Sequence, residues 1–304
     1  MPVHLSTQAN VTNRHSVRFW AAQGVRRINL ARELGLEEIR EIRKNSDTEL
    51  EVFVHGALCI SYSGRCMLSN YLTGRNANKG VCAHPCRYSY ALVEEKRPGV
   101  YFPVQEDEHG TYIFNAKDLC LLQRLPDLTA AGVDAIKIEG RMKSMGYVGA
   151  TVRVYRAALD FVQEKLDQGE KINEIRLPDT FQSEIRKIGT RGWTENFFDK
   201  SPSSDAMLYD TIRIHQLYSP VGIVRRSTPL LIEARNVLTK GDQIEYLGRE
   251  LDPMFCTVAA MKTQDGEPRE RANPGDKMIL TTSPALENPE VHAILRKKFE
   301  QKNR

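Results

Sequence analysis

From Val3 to about residue 167 the sequence alternates short apolar runs with amphipathic ones, the pattern of parallel strands joined by helices. "VHLST" reads as a strand, Val17-Arg18-Phe19-Trp20-Ala21-Ala22 as a helix, and "GVRRINLA" as a strand after a glycine stop. "GLEEIREIRKN" then places Leu36, Ile39 and Ile42 on one helical face, and "ELEVFVHG" is the next strand. The unit returns in "DLTAAGVDAIKIEGRM", and "SMGYVGATVRVYRAALDFVQEKLDQG" reads as a long helix. Only about four or five such units can be counted, against the eight of a closed (β/α) barrel. The α/β domain is therefore an open sheet, or a barrel whose earliest strands are absent.

The alternation breaks twice. Residues 89 to 115 carry strand-like pieces around "RPG", which predicts a hairpin insertion. Near residue 170 the chain turns loop-rich. Beyond residue 205, short alternating strands separated by Gly-Asp and Asp-Gly turns predict a small β-barrel or sandwich. The expected domains are 1–200 (α/β), 205–288 (β) and a charged helical tail over 289–304. With 304 residues and 41% hydrophobic composition, the chain can fill a core without disulfides. No apolar run reaches the roughly 20 residues of a membrane span, and "MPVHLSTQANVTNRH" lacks the apolar centre of a secretory signal. The expected compartment is the cytoplasm, where thiols stay reduced and clustered cysteines are more often ligands or redox groups than bridges.

Four of the six cysteines fall in one segment, spaced Cys59-x6-Cys66-x15-Cys82-x3-Cys86, with Cys120 and Cys256 apart from them. A zinc finger needs two close pairs, and only Cys82 and Cys86 make one. Ferredoxin runs are tighter than this. Spacing thus leaves zinc, an iron–sulfur cluster and reduced core thiols all open. Gly56, Gly64, Gly74 and Gly80 let the backbone pass close to a ligand, or simply end strands and turns.

Strand ends hold the other candidates. In "AIKIEGRM", Lys137 and Glu139 alternate with Ile136 and Ile138, so both face one side of the sheet, and Arg141 follows. Such ends line the ligand crevice of α/β folds, where a Lys/Glu pair serves acid–base chemistry or, more plainly, a structural ion pair. His4, Ser6 and Gln8 alternate in "HLSTQAN", and His55 lies just before the cysteine segment. The formal charge of +4 is modest, but Arg65 and other basic residues gather in the same part of the chain, as a substrate-facing surface or as ordinary solvated side chains. No G-x-S-x-G elbow, H-E-x-x-H helix, phosphate-binding G-x-x-x-x-G-K-[ST] loop or early Rossmann glycine fingerprint occurs.

"EVFVHGALCISYSGRCMLSNYLTGRNANKGVCAHPCRYSY" resembles the collagenase-like peptidase family U32. So do "HLSTQANVTN", "YFPVQEDEHGTYIFNAKDLCLLQRLPDLTAAGVDAIKIEGRMKS" and "GTRGWTENFF", which carry the likeness over most of residues 1–200. The resemblance implies a TIM-like catalytic domain, here lacking its earliest strands, followed by a small β-barrel. Members of this family are similar to hydroxylation proteins acting on tRNA uridine, ribosomal RNA cytidine or the ubiquinone ring. It further implies a [4Fe–4S] cluster on Cys59, Cys66, Cys82 (ahead of Cys86) and Cys120, prephenate or another hydroxyl donor, tRNA as partner and a related-family partner subunit. The expected function is iron–sulfur-dependent C5 hydroxylation of wobble uridine. Its alternatives are a peptidase, ubiquinone or ribosomal RNA hydroxylation, and a non-enzymatic RNA-binding module. Glu139, Lys137, His55 and Gln8 are the residues expected at the chemistry, and His4, Ser6, Arg65 and Arg141 those expected at the substrate.

Overall fold

The computed structural model describes residues 1–59, 61–87, 91–93, 95–96, 98–99, 101–103, 115–190, 192–199, 207–208 and 216–298. The chain divides into two units, the first comprising Met1–Glu139, Leu166–Arg176 and Thr190–Ile214. In it β1 (Val3–Leu5), β2 (Val25–Asn29) and β3 (Glu49–Gly56) pair in parallel in that order. The helices between them are α1 (Arg14–Ala22) and α2 (Leu36–Lys44).

Local chemistry sets these boundaries. The Asn13 side chain accepts N–H bonds from His15 and Ser16 at 3.0 and 2.9 Å, capping α1. Glu38 accepts from the Gly35 N–H at 2.7 Å, and α2 carries acids in its first turn and Arg43 and Lys44 in its last, matching the helix dipole. Ile39 and Ile42 of α2 are buried, as their spacing predicts.

A short α3 (Leu68–Thr73) follows β3, and β4 (Ala91–Val93) pairs antiparallel with β5 (Tyr101–Pro103). Most of the remainder of the expected 89–115 insertion lies outside the described residues. Next come β6 (Asp118–Cys120), α4 (Leu125–Ala130), β7 (Ala135–Ile138) and β8 (Trp193–Thr194). β7 runs parallel to β3, while β6 pairs antiparallel with the end of β3 and parallel with β8. Asp134 fixes the start of β7 beside β3, accepting from the Leu50 N–H at 2.8 Å and pairing with Arg43 at 2.7 Å. The result is an open mixed sheet of six strands that resembles an incomplete barrel.

The second unit comprises Gly140–Lys165, Leu177–Gly189 and His215–Arg304. It holds α5 (Met145–Asp167), α6 (Asp179–Arg186) and the strands β9 (Tyr218–Arg226), β10 (Leu231–Ala234), β11 (Gln243–Leu247), β12 (Met254–Lys262), β13 (Lys277–Ser283) and β14 (Ile294–Lys298). The strands are hydrogen-bonded in the order β11-β14-β9-β10-β13-β12, and β12 returns to β11 to close a six-stranded barrel. Val221, Val224, Ile232, Ile244, Val258 and Leu295 form its core.

The helical tail expected over 289–304 is corrected here, because Ile294–Lys298 is a barrel strand and residues 299–304 lie outside the described set. "ILRKK" reads as a charged helix because spacing does not reveal that Arg296 is buried. Leu295 faces the core, and Arg296 meets Glu184 of α6 at 2.8 Å and Glu245 of β11 at 2.5 Å. Lys187 joins both carboxylates at 2.6 and 3.4 Å, and Arg153 of α5 meets Glu184 at 3.3 Å. α5 packs closely on β14 at Gly149, where a Cβ would lie 2.7 Å from Ile294 Cδ1.

Candidate functional site

The C-terminal ends of β1, β2, β3 and β7 converge on one edge of the open sheet. Register places Arg27, Asn29, Glu49, Glu51, Phe53 and Lys137 on one face. Ile28, Leu50, Val52 and Ile136 take the other, where Ile28 and Leu50 are fully buried. The polar face is knit by ion pairs. Lys137 meets Glu51 at 3.2 Å and lies 5.3 Å from the centre of the Phe53 ring, and Arg32 stacks on that same ring at 3.7 Å. Arg27 meets Glu49 at 2.7 Å; bonds from Arg27 first and Arg26 second hold the Glu49 carboxyl below its ordinary value.

Two glycines allow close backbone crossings beside the candidate residues. At Gly56 (φ +103°) a Cβ would sit 2.1 Å from the Glu139 carbonyl oxygen, and the Glu139 N–H donates to the His55 carbonyl at 2.8 Å. At Gly64 (φ +75°) a Cβ would sit 2.1 Å from the Gln8 carbonyl oxygen. Only glycine fits either crossing, so the loop after β3 passes directly over the end of β1. Ser63 in that loop donates to Glu33 Oε2 at 3.1 Å, and Thr7 donates to Ser63 at 3.3 Å.

The other expected residues are distributed as follows. His55 is buried with its ring 4.8 Å from that of Trp193, and it stands opposite Cys120 in the sheet. The Ser6 hydroxyl donates to the Gln8 side chain, Ser6 being exposed and Gln8 half-buried. His4 is exposed on β1. Arg65 is exposed after a turn closed by its own N–H to the Tyr62 carbonyl at 3.0 Å. Arg141 is exposed and belongs to the second unit.

Sequence reasoning missed Arg32, Glu33, Glu51, Phe53 and Trp193. Glu51 and Phe53 had a signal, since they alternate with Val52 and Val54 in "ELEVFVHG" just as Lys137 alternates with its isoleucines. Trp193 lies in "GTRGWTENFF", but its two-residue strand shows no periodicity to mark it. Where residues 195–198 cover Arg32 and Phe53, the cavity left is only about 20 Å³, room for one water and not for a substrate.

The cysteines correct the metal expectation. Among the described residues no group of three or more His, Cys, Asp or Glu side chains is placed to hold a metal ion. This overturns the [4Fe–4S] cluster on Cys59, Cys66, Cys82 and Cys120, and with it the iron–sulfur-dependent C5 hydroxylation of wobble uridine. Although Cys59 is exposed as a residue, protein around its sulfur desolvates the thiol and pushes it up to about 11, with Cys66 and Cys86 adding to the rise. Cys82 is half-buried, and its sulfur accepts the His84 N–H at 3.3 Å.

Residues 1–208 match peptidase family U32, and residues 216–296 match the peptidase family U32 C-terminal domain. The chain belongs to peptidase family U32. Within it, the chain is 33% identical over 274 residues to tRNA hydroxylation protein P1 of Bacillus subtilis, an alignment covering 89% of this chain and 63% of that protein. It is 35% identical over 320 aligned positions to tRNA hydroxylation protein P of Escherichia coli, covering 91% of this chain and 68% of the relative. The 23S rRNA 5-hydroxycytidine C2501 synthase of Escherichia coli is 33% identical over 269 residues, covering 88% of this chain and 40% of that enzyme. The chain therefore spans about two thirds or less of the length of these U32 relatives. No helix among its described residues is long and apolar enough to cross a membrane.

Proposed function

We propose that this chain acts on tRNA, in the hydroxylation of a tRNA base. The observation that carries this reading is the 33–35% identity, over about nine tenths of the chain, to two tRNA hydroxylation proteins. In this reading the substrate approaches the strand ends where Lys137, Glu139, His55 and Gln8 lie. Lys137, held by Glu51 and Phe53 with 44% of its side chain exposed, offers a cation to an electron-rich group of the base. Glu139, anchored through its backbone to β3, is the proton acceptor of this reading. His4, Ser6 and Arg65 are the accompanying substrate contacts. Replacing a C–H by a C–OH also requires an oxygen donor and a two-electron oxidant, which these side chains do not supply.

Nucleoside mass spectrometry of tRNA from cells lacking the gene tests the substrate. Loss of a hydroxylated nucleoside is expected, and an unchanged tRNA profile overturns the reading. Restoring the gene as Glu139→Gln should lower the modification rate by about 100-fold, with protein levels unchanged by immunoblot.

Ribosomal RNA is the second reading, favoured by the likeness to the 5-hydroxycytidine synthase. It predicts a 23S rRNA nucleoside change in the same cells, with tRNA unaltered.

A further inference from the structure

Residues 52–93 contain no aspartate or glutamate, while Arg65, Arg75, Lys79 and Arg87 give the stretch as large a positive excess as the whole chain's +4. The remainder of the protein is thus balanced in charge, and its surplus lies in the loop and helix that follow β3. Arg65, Arg75 and Lys79 are exposed. Among the described residues no carboxylate pairs with Arg65 or Lys79, in contrast to the paired cations of the sheet.

Large rings are exposed along the same stretch of chain. Tyr71 on α3 is 85% exposed and Tyr62 is 68% exposed, with Met67 at 63% beside them in sequence. Met67, Leu68, Asn70 and Tyr71 line one shallow depression. The surface has a fixed shape. Ser69, fully buried, accepts the Ala83 N–H at 3.0 Å, tying α3 to the loop beyond it. Arg75 Nε donates to the Val81 carbonyl at 3.0 Å and closes the turn between them.

Exposed aromatic faces set among unpaired cations are what unstacked nucleotides require: bases stack on rings, and phosphates take the guanidinium and ammonium groups. An acidic protein partner would satisfy the cations but leave unused two tyrosines that stand almost wholly in water. We infer that the α3 surface seats unpaired nucleotides of an RNA loop, with Tyr62 and Tyr71 as stacking platforms and Arg65, Arg75 and Lys79 on the phosphates. The identity of that RNA as tRNA rests on the function proposed above; the surface itself does not.

Fluorescence anisotropy of the full chain with labelled oligouridine and with tRNA tests this. Tyr71→Ala and Tyr62→Ala should each weaken oligouridine binding about tenfold, while Tyr71→Phe, which keeps the ring, should bind like the parent. Arg65→Gln and Lys79→Gln should each reduce the slope of log affinity against log salt by about 0.7. All these positions are exposed, so circular dichroism melts should match the parent. Parent-like binding by both alanine variants, or equal competition by duplex RNA, overturns the inference and leaves the tRNA reading standing if the cellular nucleoside is still lost. Weakened oligouridine binding with an unchanged cellular tRNA profile supports the surface and overturns the tRNA reading. A parent that binds neither RNA, or tyrosine variants that lose only a protein partner, also overturns it.

Discussion

Lys137 and Arg296 each hold a carboxylate, at 3.2 Å from Glu51 and at 2.8 Å from Glu184, yet 44% of the Lys137 side chain is in water against 5% for Arg296. On the open sheet, solvent screens the pair, so it contributes little to stability and its members stay available to a substrate. In the second unit, burial removes that screening. Arg153, Glu184, Glu245 and Arg296 are each 5–7% exposed, and each depends on the others to offset the loss of hydration. The same residue types are therefore screened by water in one unit and bound into the architecture of the other.

Arg296→Ala should show the contrast most strongly. It leaves Glu184 and Glu245 buried with a weaker set of partners and should cost about 3–5 kcal/mol, read from the urea midpoint by circular dichroism. Both tryptophans, Trp20 and Trp193, belong to the first unit. Their fluorescence reports whether that loss stays in the second unit or spreads.

Acid should sharpen the comparison next. Burial alone would raise the Glu184 carboxyl, but the Lys187 hydrogen bond and then Arg296 outweigh it and hold the carboxyl below its ordinary 4.5. A depressed carboxyl contributes its stability in full above the unfolded value and loses it as pH falls through the folded one. Melts of the second unit should therefore be insensitive to Glu184 above pH 4.5 and fall progressively below it. Glu184→Gln should flatten that acid limb.

The smallest expected effect on folding is at Lys137. Lys137→Met should change stability by less than about 1 kcal/mol while lowering tRNA modification several-fold in the complementation assay. A stability loss as large as that of Arg296→Ala would erase the distinction between the two networks.

How far the sequence disclosed this molecule follows from the same physics. The helices and strands of the first unit were legible because apolar spacing reports burial directly, as Ile39 and Ile42 of α2 and the alternation of "ELEVFVHG" show. The last barrel strand was not, because Arg296 is a charge hidden by partners 51 and 112 residues away, and periodicity counts it as exposed. Lys137 and Glu139 were singled out by their place at a strand end. Arg32 was not, since only the fold lays its guanidinium on Phe53. Cysteine spacing left zinc, an iron–sulfur cluster and reduced core thiols open, because whether side chains meet is a tertiary property that spacing does not carry.

The pairing of β11 with β12 has one last consequence. A sheet frays from an unpaired rim, where backbone amides first meet solvent, and a ring of strands offers no such starting point. Deuterium uptake should therefore follow two clocks: minutes-scale labelling at β1, the rim of the open sheet, and labelling of Ile244, Val258 and Leu295 only when the whole ring comes apart.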